Sequence, residues 1–290
     1  LWVGTSEGLK CFKDGKQLPL FPGFDLANTR VNVITQDNEK QIWFGTENGL
    51  YCERNGKLRH YTIKNGLCHD FVKSLFVESD GDLWIGTRGG LSRMRENRFD
   101  NISENEGLFN DIIHQILEDE NGYLWMSCNK GLFKTTKKKL EDFFDGKIKR
   151  VEFVSYNEAD GMKSRECVGS YQPAGIKSDN GNLWFPTVKG AIIINPGNIK
   201  RNSFPSPVVI ESITADGIRY PAFAGKPQET ITIPPGVDRL KIEYSALSFQ
   251  VPKRVRFKTW LIGYEPGWSD EVKRRTVDYT NLDPGRYTFR

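Results

Sequence analysis

Leu83-Trp84-Ile85-Gly86-Thr87-Arg88-Gly89-Gly90-Leu91 is the stretch from which the rest of the chain can be read, because it recurs. It stands first as Leu1-Trp2-Val3-Gly4-Thr5-Ser6-Glu7-Gly8-Leu9 and next as Ile42-Trp43-Phe44-Gly45-Thr46-Glu47-Asn48-Gly49-Leu50. Looser copies are Leu124-Trp125-Met126-Ser127-Cys128-Asn129-Lys130-Gly131-Leu132 and Leu183-Trp184-Phe185-Pro186-Thr187-Val188-Lys189-Gly190-Ala191. The tryptophans fall at 2, 43, 84 and 125, forty-one residues apart each time, and then at 184 after an insertion of eighteen. A fixed period of this length marks a repeat architecture.

Working outward from the tryptophan, each repeat reads as short β-strands. Turn clusters precede the last four tryptophans: Gln36-Asp37-Asn38-Glu39, Ser79-Asp80-Gly81-Asp82, Glu120-Asn121-Gly122 and Ser178-Asp179-Asn180-Gly181. Asp-Gly and Asn-Gly supply the positive φ angles of a tight hairpin. An apolar strand runs ahead of the cluster (31–34, 72–77), the Trp strand follows, and a Gly-containing loop leads to a third strand (49–54) and a more polar fourth (57–62). Four antiparallel strands per ~40–45 residues make one blade of a β-propeller. Trp2, Trp43, Trp84, Trp125 and Trp184 are therefore expected as architecture, filling the layer between adjacent sheets. The glycine after the Trp strand lets the backbone turn, and the neighbouring threonine can satisfy an exposed backbone group. Four complete or nearly complete repeats and a starting fragment form an incomplete ring, and closure would need further N-terminal blades.

Within the insertion, Leu140, Phe143 and Phe144 fall at helical spacing in residues 136–146, with Gly146 as a stop, predicting a short amphipathic helix that caps the blade edge. Its run of three lysines reads as a solvated face. After Ile194-Asn195-Pro196 the repeat ceases, and the Pro-containing link 202–207 marks a boundary. The expected domains are residues 1–204, propeller blades, and 205–290, an immunoglobulin- or fibronectin-like β-sandwich. Its strands are expected at 208–213, 230–233, 240–244, 256–261 and 286–289, with turns at 215–217, 234–236 and 283–285.

The composition agrees with a turn-rich, all-β globular chain. There are 290 residues, 28 Gly, 14 Pro, 38% hydrophobic and 27% charged residues. A net charge of +4, with signs mixed along the chain, gives no reason to propose nucleic acid as a partner. Five dispersed cysteines without CxxC spacing argue against a disulfide framework or zinc, and read as buried free thiols. No apolar run approaches the ~20 residues of a membrane span. The chain starts at Leu1 without a signal peptide and stops at Arg290 inside an apparent strand, so both ends are expected to be cut.

These halves, in this order, resemble the two-component regulator propeller repeat followed by the domain named for three tyrosines (Y_Y_Y). The first likeness rests on the LWxGTxxGL blocks and on the connectors Asn65-Gly66-Leu67, Glu106-Gly107-Leu108 and Asp160-Gly161-Met162. The second rests on residues 257–264, Trp268 and the run from Tyr279 to Phe289. The resemblance implies the periplasmic part of an inner-membrane receptor. Such a region precedes a membrane span and drives a histidine kinase, often a hybrid, or a diguanylate cyclase. It also implies a carbohydrate or other small polar ligand and self-association as a receptor dimer. The membrane would be met only through a segment outside this chain. Two copies depart from the pattern, with Ser127-Cys128 for Gly-Thr and Pro186 for Gly.

The three histidines lie in different repeats without metal-ligand spacing, and no nucleophile elbow, P-loop or dinucleotide fingerprint occurs. No catalytic residue, metal or cofactor is therefore assigned, and no enzyme activity is expected of this region. Two other readings stay open, a propeller lyase or hydrolase and a structural dimerisation scaffold. The carboxylates Glu118-Asp119-Glu120 read as solvated. For ligand binding, the loop after the Trp strand and the connector between blades should emerge at one end of the channel. The candidates are Glu47, Asn48, Arg88, Asn129, Lys130 and Lys189 from the first loops, with Asp70, Asn110, Arg165, Glu166 and Tyr171 from the connectors.

Overall fold

Each repeat of the first half folds as one antiparallel sheet. The computed structural model describes residues 1–169, 171–199, 207–220, 230–246, 255–270 and 272–290. The opening sheet has three strands, β1 (Trp2–Gly4), β2 (Leu9–Lys13) and β3 (Lys16–Leu18). Three four-stranded blades follow. The second is β4 (Val31–Gln36), β5 (Ile42–Thr46), β6 (Gly49–Arg54) and β7 (Lys57–Tyr61). The third is β8 (Val72–Val77), β9 (Leu83–Thr87), β10 (Leu91–Arg95) and β11 (Arg98–Ile102). The fourth is β12 (Gln115–Glu118), β13 (Tyr123–Cys128), β14 (Gly131–Thr136) and β15 (Val154–Tyr156). The fifth has β16 (Ile176–Lys177), β17 (Leu183–Thr187) and β18 (Gly190–Ile194).

The first strands β4, β8, β12 and β16 lie against one another and form the inner rim. Cores of adjacent sheets interlock there: Val33, Trp43 and Leu50 of blade two pack with Val72, Leu75 and Ile85 of blade three. Trp43, Trp84 and Trp125 are at most 5% exposed, as expected of interblade filling, whereas Trp184 is 36% exposed. No further sheet covers its face among the described residues.

Thr46 and Thr87 each donate to the carbonyl of a glycine three residues on and accept a backbone amide, so the threonine satisfies the turn as expected. The glycines divide into two kinds. Gly49, at φ 126°, does permit the turn. Gly86, in contrast, is required by closeness, because a Cβ there would lie 2.2 Å from Ser74 Oγ and 2.7 Å from Ile113 of the next blade. The connectors are 3-10 turns at Ile63–Asn65, Glu104–Glu106 and Glu158–Asp160, each closed by a left-handed glycine.

Helix α1 (Lys137–Phe144) begins at its cap Thr136. Leu140 is fully buried with Trp84, Met126 and Phe133, and Phe144 tilts against Trp84 at 6.3 Å, so the helix covers the joint between blades three and four. Its lysines are not merely solvated, since Lys137 pairs with Glu78 and with Glu118. Thirteen of the eighteen inserted residues lie on the α1 side. Gly66 and Gly107 each stand eighteen residues before their tryptophan but Gly161 stands twenty-three before Trp184, which places the other five just ahead of β16.

The residues form two compact units, Leu1–Ile199 and Lys200–Arg290. The boundary expected between 204 and 205 lies outside the described residues. In the second unit, β19 (Val208–Ala215), β20 (Ile218–Tyr220), β21 (Arg239–Ala246) and β23 (Thr276–Thr280) form a sheet in the order β20-β19-β21-β23. A smaller sheet pairs β22 (Leu261–Ile262) with β24 (Thr288–Phe289). Ile242, Tyr244, Phe257, Leu261 and Tyr279 fill the core of this unit. The strand expected at 230–233 does not form. These residues pair with no neighbouring strand among the described residues, and an unpaired run makes no ladder. The one expected at 256–261 survives as the bridge Phe257–Val272 and as β22, interrupted where Thr259 takes the Ser269 hydroxyl in place of a backbone partner.

Candidate functional site

The loops after the Trp strands and the residues ahead of the inner strands do meet at one end. Glu47 N–H donates to the Arg30 carbonyl, Arg88 N–H to Phe71 and Val188 N–H to Glu166, at 3.1–3.2 Å. Each blade therefore presents, at one mouth, a residue from its post-Trp loop beside one from its inner strand. The inner-strand residues are Asn32, Lys73 and His114, spaced by the forty-one-residue period. In blades two and three the register shifts across Asn32 and Lys73, and this bulge re-aims both side chains out of the ladder. The sequence reading took the loop partners Glu47, Arg88 and Asn129 and missed these three. The period alone would have found them.

The three inner residues are tied into the mouth by definite contacts. Asn32 Nδ2 donates to the Val72 carbonyl at 2.7 Å, while its Oδ1 accepts from Arg30 Nε at 3.1 Å. Lys73 Nζ donates to the Gly169 carbonyl at 3.1 Å. His114, 6% exposed, places Nδ1 3.1 Å from the same carbonyl and Nε2 2.6 Å from the Asn129 side-chain amide. Burial first, then Lys73, lowers the basicity of this imidazole. Each ring nitrogen thus faces an oxygen acceptor, the Gly169 carbonyl at Nδ1 and the Asn129 Oδ1 at Nε2. Burial also pushes the Lys73 ammonium down to about 8, aided by Arg88 and Arg30. Arg88 lies over the Phe71 ring, its guanidinium carbon 3.9 Å from the centroid.

The five-residue insertion reaches into this mouth. Gln172 accepts from Ile34 N–H at 2.7 Å and donates to the Ile34 carbonyl at 2.6 Å, joining blade five to the inner strand of blade two. Tyr171 beside it is 72% exposed. Glu166 is exposed and lies within the field of His114.

Several expected residues are occupied elsewhere. Asp70 Oδ1 accepts from Ile63 N–H and holds the connector turn. Arg165 stands 4.0 Å from Glu158, whose carboxyl is kept below the ordinary range by backbone amides first and by Arg165. Asn110 and Lys130 converge through Glu104, at 2.8 and 3.1 Å. Asn48 is exposed and its carbonyl accepts from His60, and Lys189 is exposed at the tip of its loop. Glu47 is half-buried.

Glu118-Asp119-Glu120 differs from its expected solvated role. Asp119 is buried, caps the turn through the amides of Asn121 and Tyr123, and takes the Trp125 indole N–H at 2.8 Å. Glu78, Asp80 and Asp82 draw together on the third blade. Glu78 is held by the Trp84 indole and Lys137, and Asp82 by Arg95, so the arrangement is a turn anchor. All five cysteines are free, and burial pushes Cys52 and Cys128 up to about 11 and Cys167 to about 12, leaving unreactive thiols.

Comparison with known proteins places this geometry. The family model described as two component regulator propeller matches residues 25–48, 66–89 and 107–130, and that of the Y_Y_Y domain matches 248–290. No curated relative matches the chain. Among solved structures, the extracellular domain of a one component system from B. thetaiotaomicron aligns with a TM-score of 0.53 at 16% identity. It covers 99% of this chain and 52% of that one. The extracellular domain of a hybrid two component system from the same organism gives 0.46 at 20% identity, over 99% of this chain and 45% of that one. Virginiamycin B lyase from Staphylococcus aureus gives 0.44 at 14% identity, over 82% and 85%. The first supports the fold. This chain spans about half the length of the two extracellular domains. Residues 25–48, 66–89 and 107–130 are thus two component regulator propeller repeats, and residues 248–290 belong to a Y_Y_Y domain.

Proposed function

We propose that the chain is the ligand-sensing, non-catalytic, extracytoplasmic region of a bacterial two-component signal transduction receptor. One observation carries this reading. Across blades two, three and four the tryptophan of the scaffold repeats, with its glycine and threonine kept in blades two and three, while the mouth residues change completely, from Asn32 to Lys73 to His114 and from Glu47 to Arg88 to Asn129. A repeated frame with a varied polar rim is how a propeller builds one asymmetric binding surface. The family assignment and the extracellular origin of the fold neighbour support the same reading. The ligand is an oligosaccharide or another small polar molecule. Its binding shifts the relation of two receptor chains, and the sandwich passes that shift toward a membrane span and a kinase. A ligand does this only through unequal affinity for the two arrangements.

Replacing Arg88 and Arg165 together with alanine tests the mouth. Affinity for the physiological ligand, measured by calorimetry on the full receptor ectodomain, should fall roughly tenfold or more, since hydrogen bonds to charged groups contribute about 1.5–3 kcal/mol. Unchanged affinity in a folded double variant would remove the site from this end of the channel.

A further inference from the structure

The mouth carries an electrostatic imbalance that binding of a neutral ligand leaves in place. Lys73 and Arg88, from the inner strand and the post-Trp loop of blade three, lie on the Phe71 ring at 5.4 and 3.9 Å from its centroid. Arg30, on the neighbouring blade, acts on the same ammonium. Among the described residues neither Lys73 nor Arg88 has an ion-pair partner, although the chain forms such pairs at many other places. The Lys73 ammonium is half-buried, and its contact at hydrogen-bond distance is the Gly169 carbonyl, which neutralises nothing. Holding like charges together in a partly desolvated place opposes folding, and an oxyanion seated between them reverses the sign of that interaction.

We infer that this mouth binds an oxyanion carried by the ligand, a carboxylate or sulfate of an acidic saccharide, between Lys73 and Arg88. The inference rests on the sensor reading and narrows its ligand class. Lys73 supplies a point charge and Arg88 a planar fork suited to two oxygens. The half-buried floor excludes enough water for the pair to discriminate charged from neutral sugars. The depressed Lys73 adds a pH signature: binding needs the ammonium, so affinity falls as pH rises through about 8. The groups facing it are Arg30, Arg88, His114 and the Gly169 carbonyl, and one acid, Glu166, acts on His114.

Calorimetry on the full chain in low salt, with digalacturonate, galactobiose, a sulfated disaccharide and inorganic sulfate as probes, tests this. Digalacturonate or the sulfated disaccharide should bind at least tenfold more tightly than galactobiose, and Lys73→Gln should remove roughly tenfold or more of that affinity. Glutamine still donates to Gly169, so the variant should unfold at an equal or higher temperature, and Arg88→Gln serves as a second variant. Tight binding of inorganic sulfate alone would assign the site to a free anion and overturn the saccharide part. Equal binding of galactobiose and digalacturonate would overturn the inference while leaving the sensor reading standing. No Lys73-dependent binding of any anionic probe would overturn it as well.

Discussion

Asp37, Glu78 and Asp119 each stand six residues before a blade tryptophan and accept its indole N–H at 2.7, 2.8 and 2.8 Å. One side chain thereby closes the hairpin and fixes the largest ring of the blade, joining local turn chemistry to interblade packing. In blade five the position is Ser178, whose hydroxyl reaches Trp184 at 3.3 Å on an exposed face. Asp119→Ala should therefore cost about 1–3 kcal/mol in urea unfolding, because it strands a buried indole donor. Ser178→Ala should stay within about 0.5 kcal/mol, as exposed substitutions do. Of these acids only Asp37 lay in a turn cluster read from the sequence, Glu78 stood one residue ahead of its cluster and Asp119 was read as solvated; the ring partners lie six residues away and only the fold joins them. His114 makes a second residue-scale prediction. Its basicity is depressed in the fold, so the unfolded chain takes up the proton first, and this group's stabilisation is present above its ordinary value of 6.5 and declines as pH falls below it. Glu166, Lys73 and the partners Asn129 and Gly169 face the ring. His114→Gln should flatten the stability profile between pH 7 and 5, measured by urea unfolding at each pH.

Among the elements, α1 shows what an insertion can do when it carries its own apolar stripe. Leu140 joins the core between blades three and four, while Glu141 lies 3.5 Å from Arg95 and Lys137 bridges Glu78 and Glu118. Leu140→Ala should cost about 2–5 kcal/mol by loss of burial and a residual cavity, read as a lowered urea midpoint with unchanged slope. Helix and blade strands were legible because spacing at i, i+3, i+4 and turn-bounded apolar runs are local signals. The strands β6 and β8 coincide with their expected runs for this reason. Residues 230–233 carry the same alternation and form no strand, since alternation states a preference whereas a ladder needs a partner strand. Gln172 was illegible for the opposite reason, because its two bonds to Ile34 span 138 positions.

Across the whole molecule, the forty-one-residue period settled the architecture of the first unit, and the same period underlies the mouth. The loop residues Glu47, Arg88 and Asn129 stand beside residues ahead of or in the inner strands, and the inner residues Asn32, Lys73 and His114 follow the same forty-one-residue period, with a bulge re-aiming the first two. Asp70 illustrates the remaining limit. A polar residue on a connector is as readily consumed by its own turn as offered to a ligand, and no spacing rule separates the two. The central claim is that this asymmetric rim belongs to a sensor, and thermal unfolding of the complete ectodomain against a panel of neutral and acidic oligosaccharides tests it most directly. A true ligand at ~100 times its dissociation constant should add about 2.7 kcal/mol to the unit that binds it, as a saturable rise in melting temperature for one glycan class. A melting temperature that stays constant across the whole panel at saturating concentrations would contradict the account.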